Sequence, residues 1–132
     1  MIITKLNNIL KDYYKSLVWA ILILILSLIK LNPDKEINTL DLPLDKTAHF
    51  LLYLLLSFIL FFENRKFFPE KKRSIKLIIF LLIIVNFYGI FMEFLQFSLT
   101  DYRSAELTYI LSNFSGSIVG FFIFYKLKLL KL

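Results

Sequence analysis

Charged and amide side chains interrupt a long apolar segment of this chain, from Gly89 to Gly120. Glu93, Gln96, Arg103 and Asn113 lie within this segment. Such groups are costly at membrane depth, so they usually mark a functional face or a contact between helices. Glu93 and Arg103 can form a structural ion pair, and burial beside an arginine is also how a functional carboxylate is tuned. Both roles stay open. Arg103 carries a fork of donors suited to phosphate or carboxylate.

A second set of polar side chains begins at Asp45, and its members are spaced four residues apart. Asp45, His49 and Tyr53 would therefore lie on one face of a helix. Asp45 can cap the start of that helix, and Lys46 can either hold a lipid phosphate or keep its ammonium in water. His49 can bond between helices, act as a general acid or base, or contact a headgroup. A metal would need Asp45, Glu93 and water around one imidazole, so no metal site is expected.

The composition indicates a membrane protein. Of the 132 residues, 58% are hydrophobic, and the mean hydropathy is +0.71. The apolar residues form four runs, which predict an all-α, four-helix integral membrane bundle with spans at 16–31, 46–62, 75–97 and 106–125. Residues 1–15 would be a cytoplasmic segment, either an amphipathic helix or a solvated lead-in, before a membrane domain at 16–132.

The basic residues orient these spans. The N-terminus, the loop at 63–76 and the C-terminus are rich in Lys and Arg, whereas the other two loops are acidic or balanced. The positive-inside rule therefore places both termini in the cytoplasm of a multi-pass protein. This distribution also explains the net charge of +6 without nucleic acid as a partner. The chain has no cysteine and one histidine, which excludes thiolate chemistry and a multi-histidine zinc site, and no cofactor is expected.

With this topology, the polar residues of the last three spans converge near the outer leaflet. The predicted ligand site is formed by Asp45, Lys46, His49, Tyr53, Glu93, Gln96, Arg103 and Asn113. His49, Glu93 and Arg103 are its catalytic candidates. Asn113 is also suited to a hydrogen bond between helices. The pair Gly116 and Gly120 permits close helix approach.

These residues resemble the motifs of the VanZ-like family of small bacterial membrane proteins. The first motif is Asp45-Lys46-x-x-His49-Phe50-x-x-Tyr53. The second is Gly89-x3-Glu93-x2-Gln96-x6-Arg103, followed after nine residues by Asn113-x2-Gly116-x3-Gly120. The resemblance implies a bacterial cytoplasmic membrane protein, and the family takes its name from a protein that lowers sensitivity to a glycopeptide antibiotic. The family often carries an aspartate where this chain has Tyr109, and Glu106 or Asp101 is a candidate to replace it.

Three functions stay open at this point. A binding protein would hold a membrane lipid headgroup, a lipid-linked cell-wall precursor or a membrane partner at the outer site, and a homo-oligomer is left open. A membrane-embedded enzyme would act on a lipid-linked phosphate or glycan, with His49 as acid or base, Arg103 on the phosphate and Glu93 orienting or activating. No glycine-rich phosphate cradle supports the enzyme. Transport is the least favoured, because the inner half of the spans offers no polar path.

Overall fold

The computed structural model describes residues 2–29, 44–68, 75–99 and 107–130. In these residues the chain forms the helices α1 (Ile2–Leu28), α2 (Leu44–Glu63), α3 (Ile75–Leu99) and α4 (Leu107–Leu129), with a short 3-10 turn at Arg65–Phe67. The described ranges contain no strand. The predicted all-α, four-helix architecture is therefore confirmed.

Among the described residues, three helices are long and apolar enough to cross a membrane: Asp45–Glu63 in α2, Ile75–Leu99 and Leu107–Leu129. The first helix begins at Ile2 and includes most of the segment at 1–15, for which the sequence left a helix or a solvated lead-in open. Its apolar half starts at Ser16. The loop predicted at 63–76 is shorter in the structure, since Glu63 still belongs to α2 and Ile75 already belongs to α3.

A kink divides α1 at Tyr13, whose φ of −121° and ψ of 18° are not helical. The next residues have backbone amides that start a new helical segment and need acceptors. Glu63 supplies them from the end of α2: its carboxylate accepts from the amide of Lys15 at 2.9 Å and from the amide of Ser16 at 3.3 Å. A carboxylate at this position also complements the positive end of the helix dipole. The kink is thus fixed by contact with α2.

The closest helix pair is α2 with α4, and two glycines make this approach possible. A Cβ atom on Gly116 would overlap the backbone carbonyl of Phe50, and one on Gly120 would overlap that of Leu54. The hydroxyl of Ser57 donates to the carbonyl of Ser117 at 2.7 Å across the same interface. The predicted close approach at the glycine pair is confirmed, and its partner is another helix of the same chain.

The remaining helices are joined to this pair by apolar packing and by single hydrogen bonds. One core cluster holds Ile23, Tyr53, Leu56, Val85 and Met92, and a second holds Phe61, Phe68, Leu81 and Phe124. The indole of Trp19 donates to the carbonyl of Leu52 at 3.0 Å, and the hydroxyl of Tyr88 donates to that of Ala20 at 2.6 Å. In this arrangement α1 and α3 run parallel to each other, and both run antiparallel to α2 and α4.

Candidate functional site

Three buried polar side chains from three helices meet near the start of α2. Nδ1 of His49 lies 3.2 Å from Oδ1 of Asn113 and 3.3 Å from Oε1 of Glu93. The amide of Asn113 donates to the same Glu93 oxygen at 3.3 Å. The exposed fractions are 6% for His49 and Glu93 and 2% for Asn113. We call these residues the His–Glu–Asn cluster.

The contacts of the cluster define its protonation pattern. Both partners of the His49 Nδ1 atom are oxygen acceptors, so Nδ1 is assigned the hydrogen and donates to both. The Glu93 carboxylate accepts from His49 and from Asn113, which offsets the cost of holding a carboxylate among apolar helices. Both of these contacts use Nδ1, so among the described residues Nε2 is left to bond another partner.

The rim above the cluster is formed by residues of the first turns of α2 and α4. The ring of Tyr109 lies over His49, with 5.0 Å between the ring centroids. Its hydroxyl donates to Oδ2 of Asp45 at 3.0 Å, and Nζ of Lys46 lies 5.7 Å from its centroid. Asp45 is exposed and Lys46 is partly exposed. The polar groups therefore extend from the buried imidazole to the surface.

The floor below the cluster is formed by Tyr53 and Gly89. Tyr53 is 1% exposed and belongs to the apolar core, although its hydroxyl is a polar group. In the part of the chain described, this hydroxyl is buried and has no hydrogen-bond partner. A Cβ atom on Gly89 would lie 3.2 Å from the Tyr53 ring and 3.3 Å from the Asn113 amide nitrogen. Gly89 thus lets α3 bring Glu93 close to α2 and α4.

Gln96 and Arg103 differ from the other predicted site residues. Gln96 is 2% exposed, and its amide donates to the carbonyl of Ser27 in α1 at 2.9 Å. This contact ties α3 to α1 beside the cluster. Arg103 lies outside the described residues, as do Glu106 and Asp101, the candidates for replacing the family aspartate. Among the described residues, Glu93 contacts the side chains of His49 and Asn113.

Sequence reasoning missed the role of Tyr109. It treated this residue as the loss of a carboxylate, whereas the structure brings the Asp45 carboxylate to the Tyr109 hydroxyl. The signal was present, since Asp45 and Tyr109 both start helices that run in parallel. The contribution of α1 was missed as well, because Gln96 contacts a backbone carbonyl, which no side-chain pattern identifies.

The chemistry available here is hydrogen bonding, charge and proton transfer at one imidazole. Within the described ranges, no group of three or more His, Cys, Asp or Glu side chains could hold a metal ion. The Glu93 carboxylate orients the His49 ring and would stabilise an imidazolium.

The fold and the site together define a membrane-spanning helical bundle with a buried His–Glu–Asn cluster at one end. The family model VanZ/LLP1 matches residues 3–130, nearly the whole chain. The chain therefore belongs to the VanZ/LLP1 family. No curated protein and no solved structure matches it.

Proposed function

We propose that this VanZ/LLP1 protein binds a phosphate-bearing headgroup, from a membrane lipid or a lipid-linked envelope precursor, above the His–Glu–Asn cluster. One observation carries the proposal: Glu93 and Asn113 hold His49 through Nδ1. This arrangement orients the ring while leaving Nε2 for a ligand. It also builds a buried polar site into a bundle whose outer surface is apolar, where polar residues usually serve function.

The rim favours an anionic ligand. Lys46 places an ammonium next to the Tyr109 ring at the surface, and Arg103 belongs to the segment that connects α3 to α4. Lysine binds phosphate as a point charge, and arginine binds it through two parallel hydrogen bonds. The Asp45 carboxylate accepts a hydrogen bond from the Tyr109 hydroxyl, so this acidic side chain of the rim already has a donor. The rim thus offers the Lys46 ammonium to an anion, and the proposal sets it at the depth of the lipid headgroups.

The location and the orientation are parts of the same proposal. Lys and Arg are concentrated in the segments at the opposite end of the bundle. Under the positive-inside rule, this distribution supports a site at the outer leaflet of a bacterial cytoplasmic membrane. A protein that holds a lipid-linked wall precursor there would change the amount available to glycopeptide antibiotics. The family name motivates this last step.

The test is native mass spectrometry of the protein in mild detergent with added polyprenyl phosphate or phosphatidylglycerol. The wild type is expected to retain one of these as a discrete adduct. Glu93→Gln, Lys46→Gln and Arg103→Ala are each expected to retain one lipid fewer per protein than the wild type, while circular dichroism shows an unchanged helix content. Retention of the same adduct by all three folded variants would overturn the proposal.

Glu63→Gln is the matched control. It makes the same carboxylate-to-amide change at the other end of α2, where Glu63 contacts the backbone of α1. This variant is expected to keep the adduct of the site near His49. Equal loss in Glu63→Gln and Glu93→Gln would show that the effect follows from stability and not from the site.

A second candidate is a membrane-embedded enzyme acting on a lipid-linked phosphate or glycan. The contact between Glu93 and Nδ1 of His49 favours it, because a carboxylate in this position supports a histidine that exchanges a proton through Nε2. Incubation with a lipid-linked phosphate, followed by phosphate release, separates the candidates. Turnover that His49→Gln abolishes while the adduct persists would identify an enzyme. An adduct without turnover supports binding alone.

A further inference from the structure

An apolar groove lies between α1 and α3 in the half of the bundle away from His49. It has a volume of about 720 Å³, and α2 forms its floor. Its α1 wall is Tyr13, Ser16, Leu17 and Ala20, and its α3 wall includes Leu77, Phe80, Leu81, Ile84, Val85 and Tyr88. Each wall repeats every three or four residues, so the groove follows the helix axes. The segment 77–88 makes it about 16 Å long, at 1.5 Å per residue.

The groove is closed at one end and polar at the other. The hydroxyl of Tyr88 bonds to the carbonyl of Ala20 and closes the end towards the middle of the bundle. At the opposite end, the hydroxyl of Tyr13 donates to Oδ1 of Asn64 at 3.0 Å. Its α3 wall lies within the candidate membrane span Ile75–Leu99. A hydrocarbon chain fits this shape and depth.

A basic depression lies at the same ends of α1 and α2 as the polar end of the groove. It has a volume of about 290 Å³, and it is lined by four cationic and two acidic side chains: Lys11, Lys15, Arg65, Lys66, Asp12 and Glu63. The groove residues Tyr13 and Ser16 are sequence neighbours of its cations on α1, and Asn64 and Phe67 flank those of the 3-10 turn. The ammonium of Lys66 lies 5.2 Å from the centroid of the Phe67 ring, which lines the groove.

Both carboxylates of the depression already have partners. Glu63 accepts from the backbone amides of α1, and Asp12 lies 3.3 Å from Lys66. Both Lys15 and Arg65 face the Phe62 ring. Nζ of Lys15 lies 5.9 Å from the ring centroid, and Cζ of Arg65 lies 4.3 Å from it. Among the described residues, neither has a carboxylate within ion-pair distance. Two cations around one ring favour an added anion.

We infer that this end of the bundle binds one anionic phospholipid, with its phosphate on the basic depression and one acyl chain in the groove between α1 and α3. The two features complement the two parts of such a lipid. Free phosphate would use only the depression, and a neutral lipid or a second copy of the chain would use only the groove. The site is separate from the one above His49, since it lies at the opposite end of α2.

Native mass spectrometry with phosphatidylglycerol and phosphatidylcholine of identical acyl chains tests the headgroup. The wild type is expected to retain phosphatidylglycerol preferentially. Lys15→Gln with Arg65→Gln is expected to lower this retention by about fivefold per charge, since each basic residue at an anionic surface contributes about 1 kcal/mol. Lys128→Gln removes a charge outside the depression and is expected to leave retention unchanged. Equal retention of both lipids, unaltered by the double variant, would overturn the inference.

Filling the groove tests the acyl chain. Ala20→Phe is expected to reduce phosphatidylglycerol retention, whereas Val18→Phe, at a position 63% exposed on the same helix, is expected to leave it intact.

The fluorescence of Trp19, the only tryptophan, reports whether the groove is occupied, because Trp19 precedes Ala20 in the chain. Phosphatidylglycerol with brominated chains is expected to quench this fluorescence saturably in wild type and weakly in Ala20→Phe. Full competition by glycerol 3-phosphate would reveal a phosphate site without the chain. A dimer that Ala20→Phe dissociates would assign the groove to a second copy, and either result contradicts the inference.

The variant Glu93→Gln distinguishes the site near His49 from the lipid site at the other end of the bundle. Glu93→Gln is expected to leave the quenching of Trp19 by brominated phosphatidylglycerol unchanged. Loss of that quenching in folded Glu93→Gln, with Lys15→Gln and Arg65→Gln without effect, would move the lipid to the other end of the bundle.

Discussion

The Nδ1 atom of His49 lies 3.3 Å from Oε1 of Glu93, across the interface between α2 and α3. This contact joins an imidazole and a carboxylate that are both buried in the bundle. Asn113 contacts both from α4, so all three helices contribute. The relationship makes the site dependent on the packing of these helices, and the packing dependent on the site.

The glycine contact between α2 and α4 is expected to be necessary for this packing. Gly116→Ala would place a methyl group on the Phe50 carbonyl, and backbone cannot move aside as a side chain can. Overpacking of this kind typically costs about 1–3 kcal/mol. Thermal unfolding in detergent should show a clear loss of stability. Ser115→Ala, at an exposed position of α4, is the control, and an equal effect of both variants would contradict this account.

Asn113 is expected to stabilise the cluster by more than its own packing. Asn113→Leu keeps a similar size but removes a donor to Glu93 and an acceptor for His49. Interhelical hydrogen bonds in membranes contribute about 0.5–2 kcal/mol, so a loss of about this size is expected in denaturant unfolding. A double-mutant cycle with Glu93→Gln should show coupling between the two positions. Strict additivity would mean that the two side chains act independently.

Tyr109 provides a test of the position where the family often has aspartate. Tyr109→Phe removes the bond to Asp45 and keeps the ring over His49, so stability should fall by about 0.5–1.5 kcal/mol. Tyr109→Asp is expected to be worse, because it puts a second carboxylate near Asp45. Adding Asp45→Asn should relieve that repulsion and restore part of the stability. Thermal unfolding of the four proteins measures this, and no rescue would contradict it.

Glu63 is expected to hold the kink of α1. Glu63→Gln replaces a charged acceptor at the start of a helical segment, and losses of helix capping are worth about 0.5–2 kcal/mol. Hydrogen exchange should become faster at the amides of Lys15 and Ser16, which donate to Glu63. Asp12→Asn changes an exposed pair with Lys66, and such pairs contribute about 0–1 kcal/mol. Exchange rates unchanged in Glu63→Gln would refute the role of this contact.

Much of the architecture could be predicted because apolar run lengths and the glycine pair at Gly116 and Gly120 are local patterns. The convergence of His49 and Glu93 followed from helix periodicity and from the antiparallel course of α2 and α3. Contacts to backbone carbonyls could not be predicted, as with Gln96 and Ser27, because every helix offers many equivalent acceptors. The kink at Tyr13 was also hidden, since its cause is Glu63, fifty residues along the chain.

The sole histidine offers the most direct test of the proposed site. Protein labelled with ¹⁵N gives one pair of imidazole signals, both from His49. The account predicts that Nδ1 carries the hydrogen in the free protein and that polyprenyl phosphate or phosphatidylglycerol shifts the Nε2 signal saturably, with no such shift in folded Glu93→Gln. An Nε2 signal that stays unchanged while a lipid phosphate binds to protein carrying Lys15→Gln and Arg65→Gln would contradict a ligand site above His49.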